Sequence, residues 1–175
     1  MANITAAAVN ELRKRTGVGM MDCKKALVEC DGDMDKAIDY LREKGQKLAA
    51  KRADRDASEG AVLATVNADK TFAAVIMMNC ETDFVAKNED FVAFTREVLQ
   101  TAVDAKAKSL EEVMALTING LSVETMIVEQ VAKIGEKITL SHYYPIEAVA
   151  TYAYVHPGNR MASVVGLSKA GYDEE

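Results

Sequence analysis

The stretch Phe72-Ala73-Ala74-Val75-Ile76-Met77-Met78-Asn79-Cys80-Glu81-Thr82-Asp83-Phe84-Val85-Ala86-Lys87-Asn88 decides how the chain is read. Phe72 to Met78 is an unbroken apolar run, short enough for a buried strand. Asn88 then gives a helix-start signal, with Phe91, Val92, Phe94, Val98 and Leu99 at helical spacing behind it. Between strand and helix lie Thr82, Asp83, Phe84 and Val85. Such a connection normally holds small polar residues. A carboxylate beside a large aromatic ring suits a probe pushed into a partner better than a catalytic centre. The alternative is a hydrophobic staple, with Phe84 folded onto the helix and Asp83 solvated in the turn. The residues alone leave both readings open.

Working outward, Val62 to Asn67 reads as a strand paired to Phe72–Met78 through Ala68-Asp69-Lys70, a hairpin. Downstream, Ser109 and Glu112 form a capping-box signature, and Ser122 starts a helix that reaches about Ile134 and ends at Gly135. Ile138, Leu140, His142 and Tyr144 alternate as in a strand with one buried face. Two further strands fit 148–155 and 161–167, separated by the turn signal Pro157-Gly158. Strands, helices and strands again predict an α+β domain over 59–175, helices packed on a mainly antiparallel sheet.

Upstream, three short helices are predicted within 1–45. Thr5 caps the first, which carries Val9 and Leu12 and ends at Gly17. The second spans about Met21 to Cys30, with Ala26, Leu27 and Cys30 on its apolar side. Asp33 caps the third, where Met34, Ala37, Ile38 and Leu41 share a face and Gly45 fits the position beyond its end. Residues 46–58 read as a charged linker, partly helical. Lys44, Lys47, Lys51 and Arg55 would form one stripe if the helix ran on through Gly45. Such a stripe is a solvated face or a docking edge for an acidic partner.

Composition narrows the function classes. The formal charge of −6 divides into +2 over residues 1–56 and −8 over the remainder, which does not suit phosphate-backbone binding. No apolar run approaches the ~20 residues of a membrane helix, and the start of the chain has no signal-peptide pattern, so a cytoplasmic location is expected. Cys23, Cys30 and Cys80 have no Cys-x-x-Cys spacing. His142 and His156, the only histidines, are far apart, so no metal site or cofactor is read. No phosphate-cradling loop, nucleophile elbow or zinc-protease motif is present. The chain stops at Tyr172-Asp173-Glu174-Glu175, which reads either as the first turn of a helix that does not follow or as a polar tail.

Two other places invite partners. Met20-Met21, at a helix start, cannot both enter so small a bundle. Either one is exposed to mould to an apolar surface, or both cover the bundle's open end. His156 stands at a turn with Arg160 beyond, either solvated or a contact residue.

These residues carry a resemblance. Arg15-Thr16-Gly17-Val18-Gly19-Met20-Met21-Asp22-Cys23-Lys24-Lys25-Ala26-Leu27 is similar to the first signature of bacterial elongation factor Ts, and Cys80-Glu81-Thr82-Asp83-Phe84-Val85-Ala86 to its second. Ile134-Gly135-Glu136 and Tyr154-x-His156 follow in the family's order. The resemblance covers nearly all of this chain and the front of a typical member, which usually continues into a second, related core half.

It implies a guanine-nucleotide exchange factor, not an enzyme, whose partner is the GDP-bound GTPase elongation factor Tu, with no direct nucleic-acid or membrane contact. It implies a ubiquitin-associated-like helical module over 1–45 that docks through Met20 and Met21. It implies a dimerisation-type core subdomain in which Thr82, Asp83, Phe84 and Val85 reach toward the partner's Mg²⁺ site and His156 is a contact. If the chain is short by design, self-association would supply both halves of the partner-binding surface. Two other readings stand beside exchange: a binding module that docks on a GTPase without promoting release, and an enzyme using Cys80 or Cys23.

Overall fold

The computed structural model describes residues 4–171, so Tyr172–Glu175 lies outside the described residues. The chain divides into two compact units, one made of residues up to Arg55 with Thr125–Ile138, the other of Asp56–Glu124 with the chain from Thr139.

In the first unit, α1 (Ala6–Thr16) starts where the Thr5 hydroxyl accepts from the Ala8 N–H and stops at Gly17, in the left-handed conformation (φ 68°). Helix α2 spans Met20–Glu29 and α3 spans Met34–Lys51, the latter capped by the Asp33 carboxylate, which accepts from the Asp35 and Lys36 N–H groups. Leu12, Cys23, Ala26, Leu27 and Ala37 are fully buried at its centre. Cys23 was not among the expected core residues, and Cys30 is only half-buried.

Helix α3 does not end at Gly45, as the sequence suggested. It runs on to Lys51, absorbing half of the segment read as a linker and leaving Lys44, Lys47 and Lys51 exposed. Gly45 is there for close approach, not for a cap. A Cβ at this position would lie 2.9 Å from the Ala132 Cβ and 3.2 Å from the Val128 carbonyl oxygen. Both belong to a later helix, Val123–Ile134, whose Glu129 also accepts a 2.7 Å hydrogen bond from the Arg42 guanidinium. Gly45→Val should therefore lower stability by about 2 kcal/mol, because overpacking against backbone outweighs the helix propensity gained. A thermal melt checks this; an unchanged or raised midpoint would show that the helices separate at no cost.

The second unit is built on an antiparallel sheet of order β1-β2-β5, with β1 at Glu59–Val66, β2 at Phe72–Cys80 and β5 at Thr139–Glu147. The two intervening strands, β3 (Thr117–Ile118) and β4 (Leu121–Ser122), form a small separate hairpin. A second ribbon pairs β6 (Ala150–Val155) with β7 (Ala162–Leu167). The α+β class expected from the sequence is the class observed.

After β2 come α4 (Asp83–Ala86), α5 (Glu89–Asp104) and α6 (Leu110–Ala115). The helix Val123–Ile134, described above, is α7. On α5, Phe91, Val92, Phe94, Val98 and Leu99 are buried, as their spacing predicted. The expected alternation along β5 fails after Leu140. The register shifts between Met77 and Met78, so Ser141 is an extra residue on β5 and every later side chain changes face. Tyr143 is buried, its hydroxyl donating to the Ala107 carbonyl at 2.9 Å, while His142 and Tyr144 are exposed. Among the described residues no helix is long and apolar enough to cross a membrane.

Candidate functional site

The segment after β2 is a single helical turn. Thr82 is extended (φ −123°, ψ 152°) and its hydroxyl accepts from the Val85 N–H, so α4 begins abruptly at Asp83. The buried Cys80 thiol donates to the Thr82 carbonyl at 3.2 Å, tying the cap to the end of β2. Ala86 is buried beneath the turn and Val85 is half-buried. A four-residue helix has only one side facing the core, and Phe84 falls on the other: it is 83% exposed, the most exposed large apolar side chain described. The staple reading is thereby overturned, since an aromatic ring folded onto α5 would be covered.

Asp83 is not simply solvated. Lys87, one turn on, donates to it at 2.6 Å. Its carboxyl is held below the ordinary value, first by that hydrogen bond and then by the charges of Lys87 and Arg160, partly opposed by desolvation.

Arg160 belongs to the turn between β6 and β7, and its charge acts on Asp83 at the start of α4. Its guanidinium also pairs at 2.9 Å with Glu59, which lies opposite Cys80 in the β1–β2 ladder. The Asn159 carbonyl accepts from the Val62 N–H at 2.7 Å, a second tie between this turn and β1. His156 opens the turn and is exposed, its Nδ1 lying 2.9 Å from the Tyr154 hydroxyl. Thr82, Asp83, Phe84 and Val85 are thus one capped turn, and the His156 turn is anchored to the strand beside it.

Met20 and Met21 lie in the other unit, in the first turn of α2. They are 51% and 76% exposed, so the reading in which both cover the bundle's open end does not hold. Val18, just before them, is the residue of this stretch that joins the bundle's core, at 6% exposure.

Two residues escaped sequence reading. Glu59 could have been found by counting the hairpin register outward from Val66 opposite Ala73, which brings it opposite Cys80. Lys87 could have been found from its four-residue spacing to Asp83, had the connection been read as helix rather than loop.

Cys23 and Cys80 are both buried with their thiols donating to backbone carbonyls, which does not present them as nucleophiles. The Cys23 thiol is buried and donates to the Val18 carbonyl, and burial first of all pushes its pKa up. Among the described residues no group of three or more His, Cys, Asp or Glu side chains could hold a metal ion.

The family profile described as Elongation factor TS matches residues 81–174, and one described as Elongation factor Ts, mitochondrial, N-terminal matches residues 1–49. The chain is 54% identical over 170 residues to the elongation factor Ts of Christiangramia forsetii, covering 97% of this chain and 61% of the relative. It is 50% identical over 168 residues to that of Flavobacterium johnsoniae, 96% of this chain and 52% of the relative. Against that of Rhodopirellula baltica it is 47% identical over 174 residues, 99% of this chain and 53% of the relative. The chain therefore spans between about half and three fifths of the length of these relatives. With one profile covering the second signature from Glu81 and the chain on to residue 174, and the other the helical start, the chain belongs to the elongation factor Ts family of translation factors.

Proposed function

We propose that this chain binds elongation factor Tu in its GDP-bound state and promotes release of the nucleotide, acting in the cytoplasm as a guanine-nucleotide exchange factor and making or breaking no covalent bond. The observation that carries the reading is Phe84, 83% exposed on a turn whose backbone is fixed by the Thr82 cap and the Cys80–Thr82 contact. An exposed aromatic on a fixed turn keeps its own unit's core intact and loses little freedom on docking.

The mechanism follows from how a GTPase holds GDP. Phosphate oxygens, Mg²⁺ and backbone N–H groups form one mutually dependent cluster, so displacing one member weakens the rest. Phe84 enters between elements of the partner as an apolar anchor. Asp83 fixes the wedge by polar contact; held ionised by Lys87 and Arg160, it is an acceptor there and not a metal site. Met20 and Met21 dock the ubiquitin-associated-like module formed by α1–α3, their flexible side chains adapting to an apolar patch. His156 adds a third contact. Because linkage is reciprocal, a factor that weakens GDP binding is itself displaced by nucleotide. It speeds exchange and leaves the equilibrium of the free GTPase unchanged.

Elongation factor Tu loaded with a fluorescent GDP tests this. Substoichiometric amounts of the chain, with free nucleotide in excess, should accelerate loss of the signal, each copy serving many GTPase molecules. Association without acceleration would leave only a docking module and overturn the exchange reading.

A further inference from the structure

We propose that Tyr154 is a positioning residue: its hydroxyl pins the His156 ring so that Nε2–H faces the partner as a hydrogen-bond donor. The inference rests on the exchange-factor reading of His156 and adds what that contact must be chemically.

The geometry is specific. Tyr154 and His156 lie two residues apart, one on β6 and one just past its end, so their side chains leave the same face of the β6–β7 ribbon. The phenolic oxygen stands 2.9 Å from Nδ1, with the two rings tilted at 58° and their centroids 6.1 Å apart. The backbone under the histidine is held at both ends. Its N–H donates to the Met161 carbonyl at 2.9 Å, and its carbonyl accepts from the Asn159 N–H at 3.0 Å. The ring is then free only about its own side-chain torsions, and the Tyr154 contact restrains them.

The direction of the bond sets the chemistry. A phenolic O–H is a stronger donor than a neutral imidazole N–H, and an imidazole nitrogen is a better acceptor than a phenolic oxygen. The neutral pair therefore settles with Tyr154 donating to Nδ1. The proton of the neutral ring is left on Nε2, the nitrogen turned away from Tyr154. A histidine prepared this way recognises an acceptor oxygen on the GTPase, not a donor. Tyr154 itself is 55% exposed, so deleting its hydroxyl opens no cavity in the core.

Two measurements test the proposal together. On the isolated chain, ¹⁵N chemical shifts of the His156 ring should report Nε2–H in the native chain and a mixture of tautomers in Tyr154→Phe. With elongation factor Tu·GDP, Tyr154→Phe should raise the concentration for half-maximal exchange about threefold, the loss of one hydrogen bond's organising effect, with the maximal rate unchanged. On a His156→Ala background the same substitution should have no further effect.

A native ring already mixed between tautomers, or carrying its proton on Nδ1, overturns the proposal. So does a Tyr154→Phe effect that persists without His156. If His156→Ala alone changes nothing, the contact is wrong and the role given to Tyr154 falls with it. If the chain does not stimulate release at all, the exchange reading fails, and the tautomer measurement shows separately whether the Tyr154–His156 pair is as described.

Discussion

Phe84→Ala is expected to raise the concentration of factor needed for half-maximal GDP release by about thirty-fold or more, with the thermal midpoint of the chain unchanged. The first part follows from the size of interface hot spots, where truncating a central aromatic anchor costs about 2 kcal/mol or more. The second follows from exposure. At 83% exposed, the ring gives the folded chain almost no burial to lose, and alanine is the better helix former on the outer side of α4.

Phe91 is seven residues further on and 1% exposed, so truncating it should cost about 3–5 kcal/mol of stability through lost burial and the cavity left behind. Any loss of exchange in Phe91→Ala would then follow unfolding, while that in Phe84→Ala would not. Stopped-flow release of a fluorescent GDP, paired with a thermal melt of each variant, distinguishes the two. Native release rates for Phe84→Ala across a factor titration would remove the wedge from the mechanism.

What is legible in the sequence, and what is not, divides along a physical line. Local signals were legible. The Thr5, Asp33 and Asn88 caps, the β1–β2 hairpin, the inward face of α5 and the Ser109 start of α6 each depend on residues within a turn or two of one another. Signals that depend on distant chain were not. Gly45 has the composition of a helix end, and only the packing of α7 at Val128 and Ala132 shows why it is interior. His142 and Tyr144 fit a buried alternation until the bulge at Ser141 turns them outward and Tyr143 inward.

The candidate site divides in the same way. Thr82, Asp83, Phe84 and Val85 were visible as an odd connection, yet whether Phe84 pointed in or out depended on the phase of a four-residue helix not anticipated there. Met20 and Met21 admit both readings in the sequence for a similar reason: nothing local shows that Val18, just before them, is the residue that enters the bundle's core. The Arg160–Glu59 pair joins residues about a hundred positions apart, and no periodicity reports on it.

That pair sits beside Gly60, where an added Cβ would meet the shortest contact of any described glycine, and Gly60→Ala is expected to be the most destabilising glycine-to-alanine change in the second unit. An ideal Cβ on Gly60 would fall 2.2 Å from the Met78 carbonyl oxygen, 2.9 Å from the Asn79 Cα and 3.0 Å from the Met78 carbonyl carbon. All three atoms are backbone of the paired strand, so no side-chain rotation relieves the overlap. The start of β1 must instead move off β2, loosening the Glu59–Cys80 and Gly60–Asn79 pairs and the hydrogen bond from the Asn79 side chain to the Glu59 carbonyl. Forced backbone displacement of this kind costs about 3 kcal/mol, which for a chain of this size lowers the thermal midpoint by roughly 10 °C. Gly19→Ala is the control. Its nearest neighbour is an Asp22 carboxylate oxygen at 3.9 Å, so the added methyl meets only ordinary contact and the midpoint should move by a few degrees at most. Because Glu59 also holds Arg160 near Asp83, Gly60→Ala should weaken exchange even at temperatures where the chain remains folded. A melt matching that of the native chain would mean that β1 and β2 separate there without cost, and the rigid platform assumed for the Phe84 turn would lose its support.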